Sequence, residues 1–176
     1  MISPLSWDAS EERQREAIAK IAFHEGFHQY LHYASGELHF PLWFNEGCAE
    51  FFEGIEFRGA TSLVGLPDPL KRRLARLFAF KKKYDLDELI RMNREQFYNR
   101  ETRDRNYLLA NALVYYLLKG APPNGQKEYA GIMSRYYLTF SKTRNPETAQ
   151  KAAFGTVDLK RLSADLTAFW NDERQI

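Results

Sequence analysis

The run His24-Glu25-Gly26-Phe27-His28, followed at position 46 by the glutamate of Trp43-Phe44-Asn45-Glu46-Gly47, leaves few ways to fold the first third of this chain. Side chains four apart on an α-helix lie one above the other, so His24 and His28 face a common point if this segment is helical. One helical face cannot surround a metal ion, so a third ligand has to come from a second element. From His28 to Ala34 a helix climbs roughly 9 Å at 1.5 Å per residue. Ser35-Gly36-Glu37 then reads as a stop and Pro41 as a first-turn residue of the next helix. A helix descending from Pro41 brings Glu46 back to the level of the histidines. The spacing therefore predicts an antiparallel helical hairpin.

Two imidazoles and one carboxylate suit Zn2+, which takes nitrogen and oxygen donors in a tetrahedron and in hydrolytic sites keeps its fourth position for water. The predicted metal ligands are His24, His28 and Glu46. Glu25 is displaced round the helix from the ligands and stands beside that water as general base. Glu50, one turn past Glu46, is placed to orient a ligand histidine. A surface helix with a satisfied histidine pair is the bland alternative to an isolated HExxH, and the downstream Asn-Glu-Gly argues against it. A third histidine ligand in the pattern HExxHxxGxxH is excluded, because Leu31 and Ala34 stand where that pattern needs Gly and His.

With these residues in view, the chain resembles the gluzincin zinc metallopeptidases, the superfamily of thermolysin and the aminopeptidase N-like enzymes. Trp43-Phe44-Asn45-Glu46-Gly47-Cys48-Ala49 is similar to the segment that carries their third ligand, with a spacing one residue shorter than is usual in the aminopeptidase branch. HEGFHQ together with WFNEGCAEFFEG looks like a bacterial peptidase-MA-like branch, which implies a fold and a chemistry but no substrate. Downstream, Tyr107-Leu108-Leu109-Ala110-Asn111-Ala112 is similar to the aminopeptidase helix whose first tyrosine hydrogen-bonds the developing oxyanion. The resemblance thus implies that role for Tyr107, while ordinary packing is the alternative for one of ten tyrosines. Thermolysin-like members use a downstream histidine instead. The four histidines here, His24, His28, His32 and His39, all precede Glu46.

The remaining polar residues near the motif read as structural. His32 repeats the four-residue step, but over two such steps the face drifts about 80° at 100° per residue. It is therefore expected at the helix end rather than on the metal, with His39 in the turn. Cys48 is expected as a small buried hydrophobe. Gly26 costs about 1 kcal/mol of helix propensity relative to Ala, with a narrow helix surface near the metal as one reason and simple tolerance as the other.

At 176 residues and 44% hydrophobic, the chain is long enough for one good core, so a single domain over residues 1–176 is expected. The net charge of +2 calls for no polyanionic partner such as nucleic acid, and a single cysteine excludes an internal disulfide framework. No apolar run reaches the ~18 residues of a membrane span. Residues 1–16 are charged rather than signal-like. Most gluzincins carry a β-sheet upstream of the motif, so the chain reads either as a minimal domain or as a fragment of a longer precursor, and in the second case a missing leader could have exported the parent.

The fold expected is mainly α, with Asp8-x-x-Glu11 as a capping box for the first helix. Residues 54–69 read as a loop in which Ile55-Glu56-Phe57 and Ser62-Leu63-Val64 pair as a short hairpin. Further helices are predicted over 70–80, from Asp85, and over 106–119, 126–140, 146–154 and 158–170. Lys71-Arg72-Arg73, Arg76 and Lys81-Lys82-Lys83 read as a solvated helix face, because Leu70, Leu74, Leu77 and Phe78 form an ordinary apolar stripe.

The expectation is a helical gluzincin-like catalytic domain that uses Zn2+ to hydrolyse peptide or protein substrates. Endopeptidase is favoured, since no motif for a free N-terminus precedes HExxH. The alternatives are a zinc hydrolase of non-peptide amides or esters and a noncatalytic peptide-binding module. The retained Glu25 argues against the module, because a structural metal site needs no base.

Overall fold

A computed structural model describes residues 9–58, 61–79, 84–123 and 125–172. The protein is mainly helical. It opens with the long helix α1 (Ala9–Ala34), turns through Gly36 and Glu37 in positive φ, and descends as α2 (Leu42–Glu53). Pro41 is the N-cap of α2 rather than its first helical residue. The two helices pack against one another as the spacing predicts. Asp8 and the proposed capping box, like Lys81 to Lys83, lie outside the described residues.

The short hairpin follows α2 directly. Strands β1 (Ile55–Arg58) and β2 (Thr61–Val64) pair antiparallel, with Ile55 opposite Val64 and Phe57 opposite Ser62. Gly54 closes its base, its carbonyl accepting from Gly65 N at 2.8 Å.

Among the described residues seven further α-helices follow: α3 (Asp68–Ala79), α4 (Leu86–Arg91), α5 (Arg94–Phe97), α6 (Arg103–Tyr115), α7 (Ile132–Thr143), α8 (Pro146–Phe154) and α9 (Leu159–Asn171). Their starts follow capping chemistry. The side chains of Asp85, Asn93, Asn145 and Asp158 each accept a backbone N–H of the first turn. Asn93 and Gln96 form a reciprocal capping box that defines α5, a one-turn helix the sequence reading missed.

Two predicted helices are displaced. The helix expected from residue 106 starts at Arg103, because buried Asn106 donates to Phe97 O at 3.0 Å and holds the preceding turn down; its last residues, Tyr116–Gly120, widen into a π turn. The helix expected from residue 126 begins only at Ile132, after a 3-10 turn (Lys127–Tyr129) and Gly131, whose φ of 75° caps α7.

The core centres on α2 against α6, with α7, α8 and α9 closing round them. Trp43, Tyr136 and Trp170 are fully buried. Trp43 meets Tyr136 edge-on at 5.0 Å between centroids, and Trp170 stacks on Phe78 of α3 at 6.2 Å. On α3, Leu74 and Phe78 are buried while Arg72, Arg73 and Arg76 are exposed, as an amphipathic stripe requires.

Candidate metal centre

The helical hairpin brings His24, His28 and Glu46 together. Glu46 Oε2 lies 3.6 Å from Nε2 of His24 and 3.6 Å from Nε2 of His28, and one ligand atom from each residue falls within 4.8 Å of the others. Glu46 is 5% exposed, and its Oε2 is buried with no hydrogen-bond partner. A buried carboxylate oxygen without a partner is costly unless something cationic faces it. His24, His28 and Glu46 together could hold a metal ion.

The far sides of both rings are occupied. Nδ1 of His28 meets Asn45 Oδ1 at 2.9 Å. Glu53 Oε1 lies 2.7 Å from Nδ1 of His24, an ion-pair distance, although the approach is off the line of a hydrogen bond. Such contacts set the tautomer and aim Nε2 at the ligand position. Glu53, not Glu50, therefore has the orienting place beside His24. At 100° per residue Glu53 is only about 20° from the direction of Glu46, whereas Glu50 is about 40° away. Glu50 remains close enough to form a second grouping with His24 and Glu53.

Charge in the metal-free site follows from these contacts. Close contact with the carboxylates of Glu46 and then Glu53 outweighs burial and pushes His24 up to about 10. His28 rises for the same reason, through Glu46 and Asn45. For Glu46, burial acts to raise the pKa, but the two histidines facing it and the bond from Tyr98 hold its carboxylate well below the usual range. Burial, reinforced by the charge on Glu53, pushes Glu50 up to about 7.

Two phenols complete the surroundings. Tyr98, just past α5, donates to Glu46 Oε1 at 2.6 Å, a contact the sequence reading missed. Tyr107 stands in the second turn of α6, its ring 6.2 Å from that of Tyr98, and the Glu46 carboxylate acts on it. Burial, then Glu46, pushes Tyr98 up to about 12 and raises Tyr107 further, so both remain O–H donors at neutral pH.

Glu25, between the two histidines in sequence, is exposed on α1. A Cβ on Gly26 would meet nothing within 4 Å, so no close approach explains that glycine. His32 and His39 stand together at the end of α1, ring centroids 5.9 Å apart, away from the ligand set. Cys48 is buried in the core, and burial pushes its thiol up. His28 and Asn45 also line a cleft of about 1150 Å³ that runs on past His32 and His39.

A family model described as "Protein of unknown function (DUF1570)" matches residues 16–136, more than half of the chain and all of the residues just described. The chain belongs to the DUF1570 family. No curated protein and no solved structure matches it. Within DUF1570 the match begins inside α1, takes in the rest of that helix, all of α2 and the two tyrosines, and ends inside α7. Among the described residues of this DUF1570 member no helix is long and apolar enough to cross a membrane.

Proposed function

We propose that this chain is a gluzincin-type zinc metallopeptidase that cuts peptide bonds, as an endopeptidase. The observation that carries the reading is the approach of two Nε2 atoms to 3.6 Å from one buried carboxylate oxygen that makes no hydrogen bond, with Nδ1 of His28 bonded to Asn45 and Nδ1 of His24 2.7 Å from Glu53.

His24, His28 and Glu46 would hold the ion. When bound, zinc acts as a Lewis acid toward the scissile carbonyl and lowers the pKa of a water molecule from 15.7 toward about 7. Glu25, exposed next to His24 on α1, takes the proton of the attacking water and returns it to the leaving amine. Tyr107, a protonated phenol near the site, donates to the oxygen that becomes negative as the carbonyl is attacked. Tyr98 keeps Glu46 from rotating by holding its other oxygen. Asn45 and Glu53 fix the two rings.

The test is a broad peptide library incubated with zinc-loaded protein. Cleavage is expected in wild type and is expected to vanish in Glu25→Gln while zinc content stays the same. Full activity in that variant removes Glu25 from the mechanism. A library with no turnover, despite stoichiometric zinc and bound peptide, overturns the peptidase reading in favour of a noncatalytic binding module.

A further inference from the structure

The cleft beside the metal centre is not chemically neutral. Its lining includes apolar Leu38, Phe40, Ile90 and Met92, but the charged side chains that line it, the histidines apart, are Arg91, Arg94, Arg144 and a single acid, Glu147. Arg91 is already spent locally, its Nε bonded to both oxygens of Asp87 at 2.9 and 3.0 Å. Arg94 and Arg144 differ from it. Among the described residues neither is held by a carboxylate within ion-pair distance, although the chain has many acidic groups.

Arg94 is tied to the metal centre by one intervening side chain. Its guanidinium lies over the ring of Tyr98, 5.2 Å from the centroid, and the hydroxyl of that ring is bonded to Glu46. A guanidinium held over a ring face keeps its edge N–H donors for a planar anion. Arg144 enters the same cleft from the corner between α7 and α8. There its backbone is left-handed, φ 53°, a conformation unfavourable for arginine that Gly or Asn normally takes. Two unneutralised guanidiniums on the walls of one cleft, one of them a single ring away from the ligand glutamate, match a carboxylate on a peptide lying in that cleft.

We propose that Arg94 and Arg144 form a carboxylate-recognition subsite, so that the preferred substrate is a peptide carrying an acidic group to one side of the scissile bond. The inference rests on the peptidase reading for its consequence in catalysis, but binding alone can test it. The carboxylate comes either from an Asp or Glu side chain or from the peptide C-terminus.

Fluorescent peptides of one apolar sequence are compared in three forms: with an internal glutamate and an amidated end, with glutamine in its place and a free C-terminus, and with glutamine and an amidated end. Anisotropy is read on zinc-loaded Glu25→Gln protein, which keeps binding apart from cleavage. Cleavage by the wild type is read in parallel. One acidic form is expected to bind about tenfold more tightly than the neutral form, the size of a charge-assisted pair. Tight binding of the first form assigns the side chain, and of the second the C-terminus.

In Arg94→Gln combined with Arg144→Asn the acidic-to-neutral ratio is expected to fall towards one, with Asn chosen because it tolerates the left-handed backbone. Raising the salt concentration is expected to shrink the ratio in the unsubstituted arginine background only. A ratio near one before substitution, or a tenfold ratio that survives the double substitution, overturns the subsite. Absence of cleavage with the ratio intact overturns the peptidase reading alone.

Discussion

Tyr98 and Tyr107 present two phenols to one carboxylate, and their roles separate in experiment. Tyr98→Phe removes the 2.6 Å bond to Glu46 Oε1 and is expected to weaken zinc affinity about 10- to 100-fold, as loss of a partner to a metal ligand does. Competition with a chelating dye measures it. Tyr107→Phe is expected to leave zinc affinity within a few fold and lower kcat about 10²-fold or more, the cost of one oxyanion donor; a reversed pattern exchanges the two assignments. The histidines make a second prediction. Metal ligands must be deprotonated, and in the metal-free site His24 carries its proton up to about pH 10, with His28 also raised. Below that pKa every proton displaced on loading weakens the apparent affinity as pH falls. Zinc affinity is therefore expected to rise at least about tenfold per pH unit between pH 7 and 9. Calorimetry in buffers of differing ionisation enthalpy should register at least one proton released per ion, and a pH-independent affinity would show the imidazoles neutral beforehand.

At the scale of elements, the position of Glu46 depends on how closely α2 lies on α6. A Cβ at Gly47 would stand 2.7 Å from the backbone oxygen of Ala110 and 2.8 Å from Cγ2 of Val114. Neither helix backbone can yield locally, so Gly47→Ala is expected to push α2 outward, carrying the adjacent ligand with it. A loss of about 1–3 kcal/mol is expected, which lowers Tm by about 2–4 °C per kcal/mol in a chain of this size, with weaker zinc binding alongside. An unchanged melting curve would mean that the two helices separate freely.

The same helices explain what could be read from the chain and what could not. His24, His28 and Glu46 are legible because helical period and turn residues fix their relative heights. The starts of α4, α8 and α9 are legible because Asp85, Asn145 and Asp158 cap them through local bonds. Tyr98 is not, because its partner lies 52 residues away and no local pattern encodes that contact. Glu53 was overlooked in favour of Glu50 by counting one turn along α2. Its smaller angular offset, and the antiparallel run of α1, which sets His24 opposite the later part of α2, were available signals.

Across the described residues, the α1–α2 hairpin and the hydrophobic core are packed differently. Trp43, Leu74, Leu113, Tyr136 and Trp170 bury themselves among α2, α3, α6, α7 and α9, while α1 leans mainly on α2 and leaves Ile18, Ile21, Tyr30 and Tyr33 exposed. Two of the three proposed ligands sit on α1 and the third on α2, so a bound ion cross-links the least buried helix to the core. Metal removal should therefore loosen α1 without unfolding the remainder. The stabilisation lost is RT ln(1 + [L]/Kd), about 2.7 kcal/mol at a free zinc concentration 100 times Kd. Because native proteins open in local units, its first expression is expected as faster amide exchange in α1 and the first turns of α2, with α6 to α9 still protected. Hydrogen exchange followed by mass spectrometry, with and without chelator, reads this directly. Uniform loss of protection throughout the chain would show that the core depends on the metal, and the division between hairpin and core would then be wrong.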